Sequence, residues 1–261
     1  MSMELKTFET AWAGKTCLCF DTLESTNDYG KILSEKQKVH GTLIVADTQT
    51  AGKGRRGRVW QSPKGSSVSM SLCLEPKLPT ERAAGLTLVM ALSVASAIEE
   101  VTGEKAMIKW PNDVVLNGKK ICGILTEMFL RERDYVVIIG VGINVNILEF
   151  PPEIRNIATS LCLECGEKIS REDLMKATMK HFESFYEKYE VSGDFSLLKG
   201  QYEKRLVNRN SQVRVLDPKE PFEGIAKGID ELGNLLVLCE DGQLKSVCSG
   251  EVSVRGLYGY V

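Results

Sequence analysis

The chain of 261 residues carries 33 Lys and Arg against 35 Asp and Glu, a formal net charge of −2. Hydrophobic residues make up 43% and charged residues 26%, so the composition excludes a disordered, collagen-like or coiled-coil chain. The near-zero charge argues against a general polyanion binder, and two histidines are too few for chemistry built on several histidine ligands.

Local patterns in the first hundred residues alternate between helices and strands. Hydroxyl and amide side chains at 25–27 suit the N-cap of a short helix. The β-branched run 41–47 and the alternating run 67–74 predict two strands. A longer helix is predicted from residue 81 to about residue 101, closed by Gly103.

A series of hairpins follows. The segments 107–110, 114–116, 121–129 and 135–144 predict strands, and Asn117-Gly118 is a strong signal for a two-residue hairpin. Because hairpins join antiparallel neighbours, these segments predict an antiparallel sheet and not a doubly wound one.

The last third of the chain predicts two helices and a small all-β module. Ser170-Arg-Glu-Asp173 resembles a capping box that opens a helix to about residue 189, and a second helix is predicted over 195–206. From about residue 208 to residue 261, short strands alternate with glycine turns, including a hairpin at Asp241-Gly242. This pattern is typical of a small barrel.

The sequence shows neither a secretory signal nor a membrane span. The charge-free stretches 83–98 and 135–148 are shorter than the roughly 20 apolar residues that a bilayer requires. The single CxxC, Cys162 to Cys165, has no second pair to complete a zinc site. We therefore expect a cytoplasmic protein with reduced thiols and no membrane partner.

The segment Gly52-Lys-Gly-Arg-Arg-Gly-Arg58 is the most unusual in the sequence, because four of its seven residues are cationic. Its three glycines allow positive φ and close approach of backbone N–H groups, which suits a polyphosphate. A solvated basic loop is the structural alternative. The segment also matches G-x-G-x-x-G, but no helix follows it and no kinase motif occurs, so the context contradicts both of those interpretations.

Two further segments are candidates for the site. Lys109-Trp-Pro-Asn-Asp113 presents a cation, an aromatic ring, an amide and a carboxylate where a strand turns. Gly140-Val-Gly-Ile-Asn-Val-Asn146 places glycines inside a strand, which indicates close approach of a ligand or of another backbone. A capped turn and a bulge are the respective structural alternatives.

Together these segments resemble the biotin–protein ligases. The matching segments, in chain order, are Glu24-Ser-Thr-Asn27, Gln49 to Arg58, Trp60, Ser62-Pro63, Lys109 to Asp113, Lys120 to Glu127 and Gly140 to Asn144. The resemblance covers about residues 16–150, and segment 250–255 looks like the C-terminal SH3-like barrel of that family. It implies an α+β catalytic domain over 1–208, related to class II aminoacyl-tRNA synthetases, with a mixed, mainly antiparallel sheet and flanking helices. An SH3-like β-barrel over 209–261 completes the implied fold.

The resemblance implies a two-step reaction. Biotin and MgATP give biotinyl-5′-AMP and diphosphate, and a lysine of a biotin carboxyl carrier protein or carboxylase domain then takes the biotinyl group. About 20 residues precede Ser25, too few for the DNA-binding domain of some members, so we expect no repressor role and no nucleic-acid partner. A homodimer is left open.

The resemblance also implies residue roles. Lys109 and Arg55 are expected to be electrostatic catalysts, since the substrate carboxylate attacks the α-phosphate directly. Biotin contacts are expected from Ser25, Thr26, Asn27, Gln49, Lys53, Gly54, Arg55 and Lys109. ATP contacts are expected from Arg55, Arg58, Trp60, Lys109 and Asn144. No ligand of Mg²⁺ is assigned, and Asp113 is left between orienting Lys109, binding Mg²⁺ and acting as a base.

The sequence leaves two alternative functions open. A lipoate–protein ligase or octanoyltransferase shares the implied fold, although the pairing of the glycine-rich and Lys109-Trp-Pro-Asn-Asp113 segments favours biotin. A nucleic-acid-binding module with a basic loop belongs to a different class. Such a module would bind DNA or RNA in a salt-sensitive manner without biotin-dependent chemistry.

Overall fold

The computed structural model describes residues 3–61, 63–132, 134–217, 220–248, 253–256 and 260–261. The first sheet contains β1 (Met3–Lys6), β2 (Thr16–Leu23), β3 (Thr42–Gln49), β4 (Ser67–Leu74), β5 (Met107–Lys109), β6 (Asp113–Leu116), β7 (Lys119–Leu130) and β8 (Tyr135–Asn144). The α-helices are α1 (Thr26–Lys36), α2 (Gly85–Thr102), α3 (Leu161–Cys165), α4 (Arg171–Ser192) and α5 (Lys199–Glu203). The second sheet contains β9 (Gln212–Leu216), β10 (Phe222–Ile229), β11 (Leu235–Leu238), β12 (Leu244–Val247) and β13 (Ser253–Gly256).

The first sheet is mixed and mainly antiparallel, as the resemblance implied. Its eight strands lie in the order β1-β2-β3-β4-β8-β7-β6-β5. Strands β2 and β3 pair in parallel, and helix α1 makes the crossover between them, whereas the other neighbours pair antiparallel. The hairpin between β6 and β7 turns at Asn117 and Gly118, with φ of 49° and 76°, as the sequence predicts.

Helices cover both faces of this sheet. Successive residues of β3 point to opposite faces, so Leu43 joins the larger core with α2 and α4, and Ile44 joins a smaller core beneath α1. Thirteen of the 18 residues of α2 are buried, which explains why this helix is apolar on nearly every side. The segment Thr80–Thr102 is long and apolar enough to cross a membrane, but most of it is buried inside the fold.

The structure changes two of the predicted helices. The helix predicted from residue 81 is divided into a 3₁₀ turn at Thr80–Arg82 and α2 from Gly85. The helix predicted over 195–206 is reduced to α5, and the residues before it form turns in which the backbone N–H of Phe195 donates to the carbonyl of Glu231, in the turn between β10 and β11. Strands β1 and β2 and helix α3 were not predicted.

The C-terminal module is a five-stranded antiparallel sheet in the order β12-β11-β10-β9-β13. Within the described segments of the chain, the sheet is not seen to close into a barrel. The predicted hairpin is present between β11 and β12, with Gly242 at φ 83°. Of the predicted barrel segment 250–255, residues 250–252 lie outside the described residues, as does Ser62. The boundary after residue 208 stays a prediction.

The C-terminal module packs against the strand corner that follows β5. The Trp110 side chain is 1% exposed, and its Nε1 donates a hydrogen bond of 3.0 Å to the carbonyl of Gly233. The backbone N–H of Trp110 donates to Asn208 Oδ1 at 3.1 Å. The aromatic residue of the Lys109-Trp-Pro-Asn-Asp113 segment therefore joins the two sheets, and its neighbours in sequence face the site described next.

Candidate active site

The site begins where the two parallel strands end. Leu23 of β2 and Gln49 of β3 are register partners, so both strands end at the same edge of the sheet. Ser25 then caps α1, and its Oγ accepts a hydrogen bond of 3.3 Å from the backbone N–H of Asp28. The start of the helix and the end of β3 therefore meet at one point, as usual for ligand sites of α/β crossovers.

Gln49 ties the end of β3 to the first turn of α1. Its Oε1 accepts hydrogen bonds from the backbone N–H of Thr26 at 2.8 Å and from Thr26 Oγ1 at 3.1 Å. Both Thr26 and Ser25 are buried. A buried polar group requires a hydrogen-bond partner. Because Thr26 and Gln49 bind each other, their side chains are held in fixed orientations at this edge of the sheet.

Asn27 is held from three sides. Its Oδ1 lies 2.6 Å from the Ser71 hydroxyl of β4, and its Nδ2 donates to Glu127 Oε2 of β7 at 2.7 Å. Gly140 of β8 lies directly beneath, and a Cβ at that position would collide with the Asn27 amide. The sequence expectation that a strand glycine marks a close approach is confirmed here. These hydrogen bonds join Thr26, Asn27, Gln49, Ser71 and Glu127 into a polar cluster. The sequence predicted no role for Ser71 or Glu127.

The glycine-rich loop folds back on itself beside this cluster. Lys53 and Val59 form an isolated antiparallel bridge, and the N–H of Gly54 donates to the carbonyl of Arg58 at 2.7 Å. A 3₁₀ turn over Arg55–Gly57 closes the loop, and Arg56 lies in the left-handed region with φ 58°. Consequently the loop is a short β-ribbon with an exposed tip and not the start of a helix.

The cations of this loop point in different directions. Arg55 Nη1 donates to Asn112 Oδ1 at 2.9 Å, which fixes the guanidinium against the corner after β5. Burial lowers the pKa of Arg55, and the neighbouring Asp113 carboxylate opposes that shift. Lys53 lies 2.6 Å from Asp28 of α1, and this hydrogen bond raises the pKa of its ammonium group. Arg55 thus faces inward, whereas Lys53 pairs with the helix.

Two adjoining cavities lie under the loop. The first, of about 50 Å³, is lined by the start of α1, by Gln49 and by strands β7 and β8. The second, of about 500 Å³, extends from the loop to Asn144 and the segment 147–158. Five residues line both cavities: Gly54, Arg55, Trp60, Asn112 and Lys120. A ligand that fills both cavities would therefore pass these five residues at the junction.

Trp60 forms the wall between the cavities. Its indole ring packs so closely on Gly142 that a Cβ there would overlap it, and it also approaches Gly123. The indole Nε1 is buried and has no hydrogen-bond partner within the part of the chain that the structure describes. A ring that contacts two glycine backbones offers its other face to a planar ligand.

Nearly all residues that the sequence nominated lie at these cavities. Those lining the first are Ser25, Thr26, Asn27, Gln49, Lys53, Gly54 and Arg55, and those lining the second are Arg55, Arg58, Trp60 and Asn144. Lys109 differs, because it lines neither cavity. Its side chain is 6% exposed and its Nζ lies 3.5 Å from the centroid of the Tyr260 ring.

The lysine at the junction is Lys120. Its Nζ lies 2.6 Å from Asp113 Oδ1, and the two side chains are 25% and 17% exposed. The sequence contained a signal for this placement, since the Asn117-Gly118 hairpin returns the chain beside β6 within three residues. The expected contact of Lys109 with biotin and phosphate stays a prediction, and the geometry favours Lys120 for that contact.

The second cavity suits a nucleotide that carries its own metal ion. Arg55, Arg56, Arg58 and Lys120 supply positive charge to its walls, and Asp113, Glu149 and Glu153 supply carboxylate oxygens. No group of three or more metal-ligating side chains occurs among the residues that the structure describes. Mg²⁺ is usually held by one or two carboxylates and the substrate phosphates, so the residues fit such an ion. When bound, it would neutralise phosphate charge.

Comparison with known proteins identifies the family. Residues 19–144 match the biotin/lipoate A/B protein ligase family, and residues 210–255 match the biotin protein ligase C terminal domain. The bifunctional ligase/repressor BirA of Bacillus subtilis (strain 168) is 41% identical over 249 residues, which cover 94% of this chain and 76% of that protein. This chain belongs to the biotin/lipoate A/B protein ligase family.

Further relatives and solved structures of this family are similar to the chain over most of its length. The biotin–[acetyl-CoA-carboxylase] ligase of Mycobacterium tuberculosis is 30% identical over 222 residues, covering 82% of this chain and 79% of that protein. The structure of the biotin protein ligase from Aquifex aeolicus in complex with biotin and ATP is 34% identical, with a TM-score of 0.81. It covers 92% of this chain and 98% of that chain. The family and the fold inferred from the sequence are confirmed.

Proposed function

We propose that the protein is an ATP-dependent biotin–protein ligase. It activates biotin with MgATP to biotinyl-5′-AMP, releases diphosphate, and transfers the biotinyl group to a lysine of a biotin carboxyl carrier protein or carboxylase domain. The observation that carries the proposal is the junction of the two cavities, where Arg55 and Lys120 lie between a polar cluster and a cation-lined cavity.

The first cavity lies where the head of biotin would bind once the loop and Trp60 move aside. The buried side chains of Thr26, Asn27 and Gln49 are fixed by one another and by Ser71, so they present hydrogen-bonding groups in set directions. The ureido ring of biotin carries two N–H groups and one carbonyl, which are costly to bury unless each finds a partner. The polar cluster supplies such partners at the closed end of the cavity.

The second cavity fits the nucleotide. Trp60 offers an indole face to the adenine, and Arg58 and Asn144 lie in the same wall. The cationic loop brings positive charge to the phosphates. Biotin and ATP would then meet at the five shared residues, with the biotin carboxylate facing the α-phosphate.

The adenylation step requires aligned substrates and positive charge beside them. It does not require a nucleophilic side chain. The biotin carboxylate oxygen attacks the α-phosphorus, a P–O bond forms, and the bond to diphosphate breaks. Arg55 and Lys120 offset the repulsion between the two anions, and a well-aimed donor contributes about 3–4 kcal/mol to such a step. The Cys122 thiol of β7 is fully buried, and burial raises its pKa, so it does not act as a nucleophile.

The transfer step uses the same junction. The neutral amine of the carrier lysine attacks the carbonyl carbon of biotinyl-5′-AMP, the C–O bond to AMP breaks, and an amide forms as the nitrogen releases a proton to solvent. AMP leaves with the negative charge that Arg55 and Lys120 already face. Both half-reactions thus use one pair of cations.

We place this activity in the cytoplasm and assign the protein no nucleic-acid partner. All eight cysteines are free in the structure, which supports a reducing compartment. The net charge of −2 shows no excess of cations for a nucleic-acid backbone.

The test is ATP–diphosphate exchange measured with biotin, lipoate and octanoate side by side. We expect exchange with biotin alone, because the polar cluster fits a ureido ring that the other two acids lack. Equal or faster exchange with lipoate would overturn the assignment in favour of a lipoate ligase. Salt-sensitive DNA or RNA binding without any exchange would favour the basic-loop module instead.

A further inference from the structure

The C-terminal end of the chain reaches the active site. Tyr260, the penultimate residue, is half-buried and lines the second cavity. Its hydroxyl donates a hydrogen bond of 2.5 Å to Asp113 Oδ2. The C-terminal module therefore contributes a side chain to the wall of the second cavity, in addition to its contacts with Trp110.

Asp113 is engaged through both of its carboxylate oxygens. Oδ1 lies 2.6 Å from Lys120 Nζ, and Oδ2 accepts the Tyr260 hydroxyl. A carboxylate that rotates about its last torsion exchanges the two oxygens, and partners on both sides oppose that rotation. The direction in which Asp113 holds the Lys120 ammonium therefore depends on Tyr260.

The aromatic ring of Tyr260 has a second contact. Lys109 faces Asp113 across the β5–β6 register, the position where opposite charges attract each other in an antiparallel pair. The Lys109 ammonium lies under the Tyr260 ring, 3.5 Å from its centroid. The ring thus offers Lys109 an aromatic face, while the hydroxyl of the same residue holds the carboxylate toward Lys120.

From these contacts we infer that Tyr260 is a positioning residue, which acts through Asp113 to aim Lys120 into the junction of the two cavities. The inference rests on the proposed function, because it assigns Lys120 to the reacting anions. Removal of the hydroxyl leaves Asp113 Oδ2 without its 2.5 Å donor, so the carboxylate and its lysine have a wider range of orientations. The effect should appear in the rate of the chemical step and not in substrate binding.

The first test is Tyr260→Phe, which keeps the ring over Lys109 and removes only the hydroxyl. We expect kcat for biotin-dependent ATP–diphosphate exchange to fall about tenfold, the factor that ~1.4 kcal/mol corresponds to. The KM values for biotin and ATP should stay within about twofold, a split that marks loss of an interaction made in the transition state. Tyr260→Leu removes the ring as well and should lower kcat further.

A matched control is Tyr186→Phe. Tyr186 also donates its hydroxyl to a carboxylate, Glu190 Oε1 at 3.3 Å, but it lies on α4 away from both cavities. Its kcat should equal that of the unchanged protein. Thermal unfolding of each variant shows whether the compared proteins are folded to the same degree.

The second test asks whether Tyr260 acts through Asp113. In an Asp113→Asn background, Tyr260→Phe should lower kcat by less than twofold, because the carboxylate that it positions is gone. A full tenfold loss in that background would overturn the inference, as would a kcat of Tyr260→Phe within twofold of the unchanged protein. Absence of biotin-dependent exchange in the unchanged protein would instead overturn the proposed function, so the two failures are distinguishable.

Discussion

At the junction of the two cavities, two lysines lie near one carboxylate but face different surroundings. Lys120 is a quarter exposed and lines both cavities, whereas Lys109 is buried beneath an aromatic ring. In the sequence Lys109 precedes Asp113 and Lys120 follows it across the Asn117-Gly118 hairpin. The hairpin signal places Lys120 beside β6 but does not show which of the two lysines faces the cavities. The difference arises from the direction of each side chain in its strand, which the hairpin register determines.

The two lysines can be separated by substitution. We expect Lys120→Ala to lower kcat/KM for biotin-dependent exchange by about 10²–10³-fold, the loss typical of one preorganised donor. Lys109→Ala should cost less, since its ammonium lies outside both cavity walls. Lys119→Ala, next to Lys120 in β7, is the matched control. Abolished exchange in Lys109→Ala with near-normal exchange in Lys120→Ala would restore the role that the family resemblance implied.

Gly140 provides a second prediction at the scale of one residue. A Cβ at this position collides with the Asn27 amide, so Gly140→Ala should displace Asn27 and weaken biotin binding at least tenfold. Gly200→Ala is the control, because a Cβ there meets nothing within 4 Å. Calorimetric titration with biotin measures both. Unchanged affinity in Gly140→Ala would mean that Asn27 does not contact the ligand.

At the scale of elements, the glycine-rich loop is a short ribbon that covers the site. Its tip combines an arginine at φ 58° with Gly57 at φ 70°, and no residue of its 3₁₀ turn is buried. The first cavity, at about 50 Å³, is far below the roughly 300 Å³ of ordinary ligand sites. Ligand entry therefore requires movement of this loop and of Trp60, and bound ligand would then hold the loop in place.

This movement can be followed by limited proteolysis. Trypsin cleavage after Arg55, Arg56 and Arg58 should slow when biotin and MgATP are added, because the cations become engaged by the ligand. Cleavage after Lys38, which lies beyond the C-terminus of α1, serves as the internal control and should not change. Equal cleavage of the loop with and without ligand would contradict a ligand-ordered loop.

A half-buried carboxylate of helix α4 binds the chain segment that precedes β2. Glu183 accepts hydrogen bonds from the backbone N–H groups of Ala11, Trp12 and Ala13, at 2.7–2.9 Å. Burial raises the pKa of Glu183, but the three N–H donors lower it by more, so the net shift is downward. The carboxylate thereby fastens the chain before β2 to the helix.

The sign of this shift predicts a pH dependence. A carboxyl group whose pKa is lower in the folded state stabilises that state at pH values above its unfolded pKa of about 4.3. This stabilisation is lost as the pH falls through the pKa of the folded state. Glu183→Gln should therefore be about 1–2 kcal/mol less stable at pH 7, and the difference should shrink below about pH 4. Glu187→Gln, one turn later on the exposed side of α4, is the control. Chemical unfolding across pH measures the two, and a constant difference would contradict the assignment.

At the scale of the whole molecule, the segment around Trp110 joins the two sheets. Its indole reaches Gly233 of the C-terminal module, and Tyr260 returns from that module to Asp113. The sequence predicts a separate all-β module but contains no signal for these contacts, since residues 110 and 233 are far apart in the chain. Such docking depends on shape and on surfaces that meet only after both sheets have formed.

The sequence by itself determined the family, the hairpins and most of the segments that line the two cavities, because these depend on local patterns. The mixed character of the sheet was implied only by the family resemblance. Hairpin turns, strand glycines and the dense cations of the loop each require particular residues at fixed spacing. Tertiary structure alone decided which lysine lines both cavities, how Trp60 divides them and where the C-terminal tyrosine lies. Those outcomes depend on the directions of side chains and on contacts between segments that are distant in the chain. No short stretch of sequence contains a signal for either.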